Sequence, residues 1–231
     1  MVWHCNILTL FPDMFPGSLG QSLSGRALEN GTWSYDAINI RDHAHDKHQT
    51  VDDTPYGGGA GMVLRPDVLE TALLSIPKPK RGKLIYMSPR GRVLDQTYVQ
   101  ELSNTDNITI LCGRYEGVDQ RFLDAYDIEE VSIGDYVLSG GEPAAIIMMD
   151  ACIRLLDGVM GNAETAGEES FSNGLLEYPH YTKPAEWIDN TETSHKVPDI
   201  IRSGDHAKIK QWREEQSLEL TKARRPDLLQ K

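Results

Sequence analysis

Three glycine-bearing stretches hold the residue types from which a site could be built. They are Tyr86-Met87-Ser88-Pro89-Arg90-Gly91, Cys112-Gly113-Arg114-Tyr115-Glu116-Gly117, and the run from Ser132 through Ile133-Gly134-Asp135-Tyr136-Val137-Leu138-Ser139-Gly140 to Gly141. Each follows a segment that reads as a buried strand. A single loop of this kind means little, because strand-to-helix turns need glycine for their own geometry. Several at the ends of parallel strands would gather at the carboxyl edge of one sheet, where α/β proteins bind ligands. Glycines let backbone N–H and C=O groups approach a flat ring such as adenine. The few fixed charges suit an uncharged adenosine moiety better than a polyphosphate. A further glycine run, Tyr56-Gly57-Gly58-Gly59-Ala60-Gly61, lacks the Lys-Ser/Thr of a P-loop and reads as a tight turn. No G-x-G-x-x-G follows the first strand, which argues against a dinucleotide site. His43, His45 and His48, with Asp42 and Asp46, match no zinc spacing, since no strand or helix face holds all three histidines; no metal site is assigned.

The elements that must position these loops follow from hydrophobic periodicity. Strands are expected at 3–10, 33–40, 82–88, 107–112 and 127–133, and helices at 66–75, 94–103 and 142–156. Strands alternating with helices predict an α/β fold with a largely parallel sheet covered on both faces. Residues 158–174 are small, polar and acidic and read as a linker or lid. Beyond Gly174 the chain reads as helical, ending in a helix capped by Ser203 or Asp205 that runs to about 224. Along it, Ile209, Trp212, Gln216, Leu220 and Ala223 share one stripe. His206, Lys210, Arg213, Ser217, Thr221 and Arg224 share another, which could lie along a phosphate backbone. The alternative is a solvated helix face.

Composition sets outer bounds. With 231 residues, 39% hydrophobic and 25% charged, the chain can build a proper core. No apolar run is long enough to span a membrane, so no membrane partner is expected. The opening MVWHCNILTLFPDMF has no basic region or cleavage site and reads as a first strand rather than a signal peptide. Three widely spaced cysteines, Cys5, Cys112 and Cys152, suit reduced thiols in the cytoplasm. The net charge of −12 opposes simple nucleic-acid binding, which depends on neutralising phosphates. Residues 175–231, however, hold ten Lys/Arg against ten Asp/Glu, so the excess acid lies entirely in 1–174.

The runs LFPDMF (10–15), VDDTPYGGGAGM (51–62), LCGRYEGVDQR (111–121), SIGDYVLSGGE (132–142) and GLLEYPHYTKP (174–184) resemble the tRNA (guanine-N1)-methyltransferase family of the SPOUT class, over about residues 5–229. The resemblance implies a SPOUT-type α/β domain whose C-terminal part forms a deep trefoil knot, plus a small helical C-terminal domain. Its divisions would be a methyltransferase domain at 1–158, a linker or lid at 159–174 and a tRNA-binding domain at 175–231. It implies a homodimer in which the partner chain completes each active site, and S-adenosylmethionine as cofactor. The cofactor positions would be Tyr86, Ser88, Pro89, Gly113, Tyr115, Gly117, Ile133, Gly134, Tyr136, Leu138, Gly140 and Gly141, with Glu116 near the sulfonium or a magnesium ion. The substrate would be tRNA, for which Lys210, Arg213 and Arg224 of the tail-helix stripe are the candidate contacts. The product would be 1-methylguanosine just 3′ of the anticodon, at position 37.

Chemistry says what such a reaction needs. Guanine N1 carries a proton and is a poor nucleophile until a base removes it. Negative charge then spreads to O6, where a guanidinium stabilises it. The resemblance assigns the guanidinium to Arg154 and the base to the residue before Ser170-Phe171. There the family usually has aspartate and this chain has Glu169, preceded by Glu168. Glutamate keeps the carboxylate and adds a methylene. Pro143 also departs from the pattern, standing directly after SGGE, and the sequence stops at Lys231 where many relatives continue. The competing readings are a knotted methyltransferase acting on another nucleotide and a non-catalytic RNA-binding protein of the same fold.

Overall fold

The computed structural model describes residues 2–160 and 169–230. Glu168 and half of the expected lid, residues 161–168, lie outside the described residues. The chain divides into two units, Met1–Gly161 and Asn162–Lys231.

The first unit is an α/β fold. Its strands are β1 (Trp3–Thr9), β2 (Trp33–Asn39), the short β3 (Asp52–Asp53) and β4 (Val63–Leu64), then β5 (Lys83–Val93), β6 (Asn107–Cys112) and β7 (Glu129–Ser132). Its helices are α1 (Ser22–Glu29), α2 (Pro66–Ser75), α3 (Lys78–Arg81), α4 (Gln96–Ser103), α5 (Gln120–Ala125) and α6 (Glu142–Ile153). Five strands form one sheet in the order β2-β1-β6-β5-β7, every pair parallel. Side chains alternate between its faces. Ile85, Met87, Ile108, Ile110 and Cys112 pack on one face with Tyr98 and Leu102 of α4 and Met148, Met149 and Cys152 of α6. Tyr86 and Leu111 pack on the other with Val68, Leu69 and Leu73 of α2 and Phe122 of α5. Burial on both faces is why these strands read as near-continuous apolar runs.

The three long helices start where expected. Pro66 opens α2, where its missing N–H costs nothing. Asp95 caps α4 by accepting from the Tyr98 amide at 2.9 Å. Pro143 falls in the first turn of α6, which a helix tolerates, so that departure leaves the element intact. One boundary differs: β5 does not stop near residue 88 but resumes beyond a bulge. Met87 and Arg92 both oppose Val131, and Ser88–Gly91 is the irregularity between them.

The second unit is less helical than its sequence suggests. Residues 175–185 form no regular element, and β8 (Glu186–Ile188) pairs antiparallel with β9 (Ser194–Lys196). The Asp189 carboxylate organises the turn by accepting from the amides of Thr191 at 2.8 Å and Thr193 at 3.1 Å, and it pairs with His195 at 2.9 Å. These contacts, His195 and the Thr191 hydroxyl first, hold Asp189 far below the usual carboxylate range. After α7 (Asp199–Arg202), α8 (His206–Arg224) begins at an Asp205 cap on the Lys208 amide. On α8 the hydroxyl-bearing stripe splits. Ser217 and Thr221 are buried, Arg213 is half-buried over the Tyr178 ring at 4.6 Å, and Lys210 and Arg224 are exposed. Thr221 reaches the interior because its hydroxyl is satisfied twice, donating to the Ser217 carbonyl at 2.7 Å and accepting from the Leu176 amide at 2.9 Å.

Tyr98 fixes the relation of α4 to β5 and β7. It is fully buried, its ring lies 4.5 Å from Lys83 Nζ and 4.2 Å from the Arg92 guanidinium, and its hydroxyl donates to Glu129 at 2.7 Å. Burial and that bond push the Tyr98 phenol up to about 12. Glu129 keeps Lys83 at 2.7 Å without it. Tyr98→Phe should therefore cost about 1 kcal/mol and Tyr98→Ala about 3–5 kcal/mol in denaturant unfolding. Equal losses in the two variants would show that the hydroxyl, not ring packing, carries the contact.

Candidate active site

The irregular middle of β5 and the loops that follow β6 and β7 meet at the carboxyl edge of the sheet around one cavity of about 240 Å³. All of the residues expected at a cofactor site line it, from Tyr86, Ser88 and Pro89 through Gly113, Tyr115, Glu116 and Gly117 to Ile133, Gly134, Tyr136, Leu138, Gly140 and Gly141. Two loops are tied directly, the Gly141 amide donating to the Gly113 carbonyl at 2.9 Å. Close approach explains two of the glycines. A Cβ at Gly113 would lie 2.7 Å from the Tyr86 ring, and one at Gly140 would lie 2.3 Å from Arg114 Nε. The Tyr56–Gly61 run also has a place here, which its sequence did not show. Glu116 donates its amide to the Met62 carbonyl at 2.9 Å, and a Cβ at Gly61 would strike the Glu116 side chain.

Sequence reasoning passed over the pair that holds these loops together. Glu142, at the start of α6, is wholly buried, accepts from the Thr9 hydroxyl at 2.8 Å and pairs with Arg114 Nε at 2.9 Å. The same guanidinium donates to the Ser139 carbonyl at 3.2 Å, reaches Met14 Sδ at 3.6 Å and lies over the Phe11 ring at 4.3 Å. Arg114 thus joins the segment after β1 to the loops after β6 and β7. Its charge is committed to Glu142, which leaves Glu116 as the carboxylate among the cavity's lining residues. The signal was present: an acid in the first turn of a helix, one residue past a glycine loop, with an arginine in the neighbouring loop.

Cys112, beside the cavity, is no nucleophile. Burial, and then the nearby Glu142, push its thiol well up. Burial does the same for Cys5, and raises Cys152 to about 12.

The other expected residues fall elsewhere. Arg154, which closes α6, lines a separate cavity with Ser22, Leu23, Asp150 and Met160. Glu169 belongs to the second unit, where it lines a cavity with His206, Lys210 and Arg213. Arg224 stands exposed at the end of α8. Among the described residues, no three His, Cys, Asp or Glu side chains gather as a metal site would require, and no helix is long and apolar enough to cross a membrane.

A parallel α/β sheet with a glycine-built cavity at its carboxyl edge is the arrangement in which α/β proteins bind ligands. The family described as tRNA (Guanine-1)-methyltransferase TrmD matches residues 3–231, and the chain belongs to that family. It is 58% identical to the tRNA (guanine-N(1)-)-methyltransferase of Mesorhizobium japonicum, over 99% of this chain and 97% of that protein. The protein of the same name from Rhodospirillum rubrum is 57% identical over 96% of this chain and 90% of its own length. That from Wolbachia pipientis is 53% identical over 99% and 98%.

Glu142→Gln should remove the charge that balances Arg114 and cost about 3 kcal/mol of stability, because a buried guanidinium is left unmatched. S-adenosylmethionine affinity should fall more than about tenfold as the Ser139–Gly140 segment loses its anchor. The Arg114→Leu, Glu142→Leu double variant should recover stability but not affinity. Thermal melts and calorimetry separate the two effects, and wild-type cofactor affinity in both proteins would show that the pair does not shape the cavity.

Proposed function

We propose that the protein transfers a methyl group from S-adenosylmethionine to N1 of guanine at position 37, just 3′ of the anticodon of tRNA. The observation that carries this reading is the convergence of the three glycine loops on one cavity, in a chain matched almost end to end by the family. The donor set fits the cofactor. Backbone groups and the Tyr86 and Tyr136 rings suit adenosine, and the Glu116 carboxylate suits a positively charged sulfonium or ammonium group. When bound, S-adenosylmethionine supplies an electrophilic methyl that needs no activation by the protein. Glu116 would also be the residue to hold a magnesium ion, which the family resemblance implies near the sulfonium.

The remaining work falls to the chain's own groups. Glu169 accepts the proton from guanine N1. The Arg154 guanidinium stabilises the charge that spreads to O6. Glu116 keeps the positive end of the cofactor oriented. Lys210, Arg213 and Arg224 contact RNA phosphates; the neutral balance of residues 175–231, against −12 for the whole chain, supports that assignment. The protein acts as a homodimer with the sheet's C-terminal segments knotted. Within one protomer Arg154 is absent from the residues lining the cofactor cavity, which supports completion of the site by a partner chain. The proposed compartment is the cytoplasm, in keeping with three buried free cysteines.

The base assignment is open to direct test. Glu169→Gln should bind S-adenosylmethionine normally and lose about 10²–10⁴-fold in single-turnover methyl transfer. Glu168→Gln should be mild, and Glu169→Asp should stay active. A dead Glu168→Gln beside an active Glu169→Gln would move the base by one residue. Activity in both single variants and in the double variant would rule out a carboxylate base.

A further inference from the structure

The second unit contains a cleft that the methyl-transfer chemistry does not use and that shares only Arg213 with the phosphate-contacting residues of α8. Its cavity, about 470 Å³, is bounded by Tyr178, Tyr181, Lys183, Arg202, Trp212 and Arg213 among others, and no carboxylate lines it. In a chain of net charge −12 such a wall is unusual. Glu177 and Asp199, which pair with His180 and Arg202, stand outside the lining. The aromatic rings are braced: Tyr181 against Trp212 at 6.3 Å, Tyr178 against His180 at 4.9 Å, and Arg213 over Tyr178 at 4.6 Å. Tyr181 is 49% exposed, so a supported ring face is open to a ligand.

Rings that offer flat faces, beside cations and without acids, recognise single-stranded nucleic acid by stacking a base and neutralising its phosphate. An apolar ligand would make little use of the three cations around this cleft, and an acidic peptide little use of the open ring face. We propose that this cleft holds an unpaired nucleotide of the RNA substrate, its base stacked on Tyr181 and its phosphate met by Lys183 and Arg202. That nucleotide is not the methylated guanine, since no carboxylate stands here to take a proton from N1. The inference rests on the reading of the chain as a tRNA methyltransferase, and deepens it by assigning a second nucleotide subsite.

The test uses the full chain and a fluorescent tRNA transcript with guanine 3′ of the anticodon. Equilibrium affinity, cofactor affinity and single-turnover methylation at saturating RNA are measured for wild type, Tyr181→Ala, Tyr181→Phe and the Lys183→Ala, Arg202→Ala pair. Tyr181→Ala should weaken RNA binding at least roughly 5-fold, with cofactor affinity unchanged and an unchanged dependence on salt. Tyr181→Phe should bind as wild type, because stacking needs the ring and not the hydroxyl. The double variant should flatten the salt dependence instead; its side chains are exposed, so it reports on the cleft even if Tyr181→Ala folds poorly. If wild type methylates the transcript while Tyr181→Ala and the double variant bind it as tightly and with the same salt slope, the cleft is no nucleotide site and the methyltransferase reading stands. If wild type binds without methylating and Tyr181→Ala weakens the complex, the cleft stands and the methyltransferase reading falls. If wild type does not bind the transcript, both fall.

Discussion

A wholly buried carboxylate is costly unless a cation and a hydrogen bond meet it. Glu142 has both, in Arg114 at 2.9 Å and Thr9 at 2.8 Å. Because Thr9 ends β1, Arg114 follows β6 and Glu142 opens α6, satisfying this one charge requires three distant parts of the chain to arrive together. The same arginine carries the Ser139 carbonyl on its fork, so the loop after β7 is drawn to the loop after β6. The glycines at 113 and 140 then follow from crowding, since any Cβ there would occupy space taken by Tyr86 or Arg114. The cavity is in this sense the outside of a buried ion pair. Glu116 is then the one carboxylate left among the residues that line it.

The acidity of the chain takes on a different meaning once its placement is known. The excess of acid lies in residues 1–174, whereas 175–231 is balanced. Within the second unit one cavity balances Lys210 and Arg213 against Glu169 and Glu214, whereas another is lined by Lys183, Arg202 and Arg213 without acids. On the proposed reading, an RNA approaching such a surface would be attracted locally by a protein that repels it overall, which favours a specific pose over indiscriminate phosphate binding.

The strands and the loops after them were legible in the sequence because a parallel sheet buried on both faces writes its strands as apolar runs, and because glycine marks close approach. Ile108–Cys112 followed by Gly113 is the clearest instance. The helix 206–224 was legible from its Asp205 cap and its period. Its partition was not. Ser217 and Thr221 read as surface residues by type, yet both are buried; the Thr221 hydroxyl finds a partner in the Leu176 amide, forty-five residues away, and another in the Ser217 carbonyl. The hairpin at 186–196 was missed because its turn is built by Asp189 bonds to the Thr191 and Thr193 amides rather than by an Asn-Gly or Asp-Gly pair. The Glu142–Arg114 pair escaped because each residue reads as ordinary polar punctuation until the sheet order brings β6 next to β1 and β5.

The central claim is that the glycine-built cavity serves methyl transfer to one guanine nitrogen. Incubating the protein with S-adenosylmethionine and a set of tRNA transcripts, then identifying the modified nucleoside by mass spectrometry and mapping its position, tests that claim most directly. The account predicts 1-methylguanosine at the nucleotide just 3′ of the anticodon, and none in transcripts where that guanine is replaced. Methylation of a ribose, of another base or of another position would contradict it.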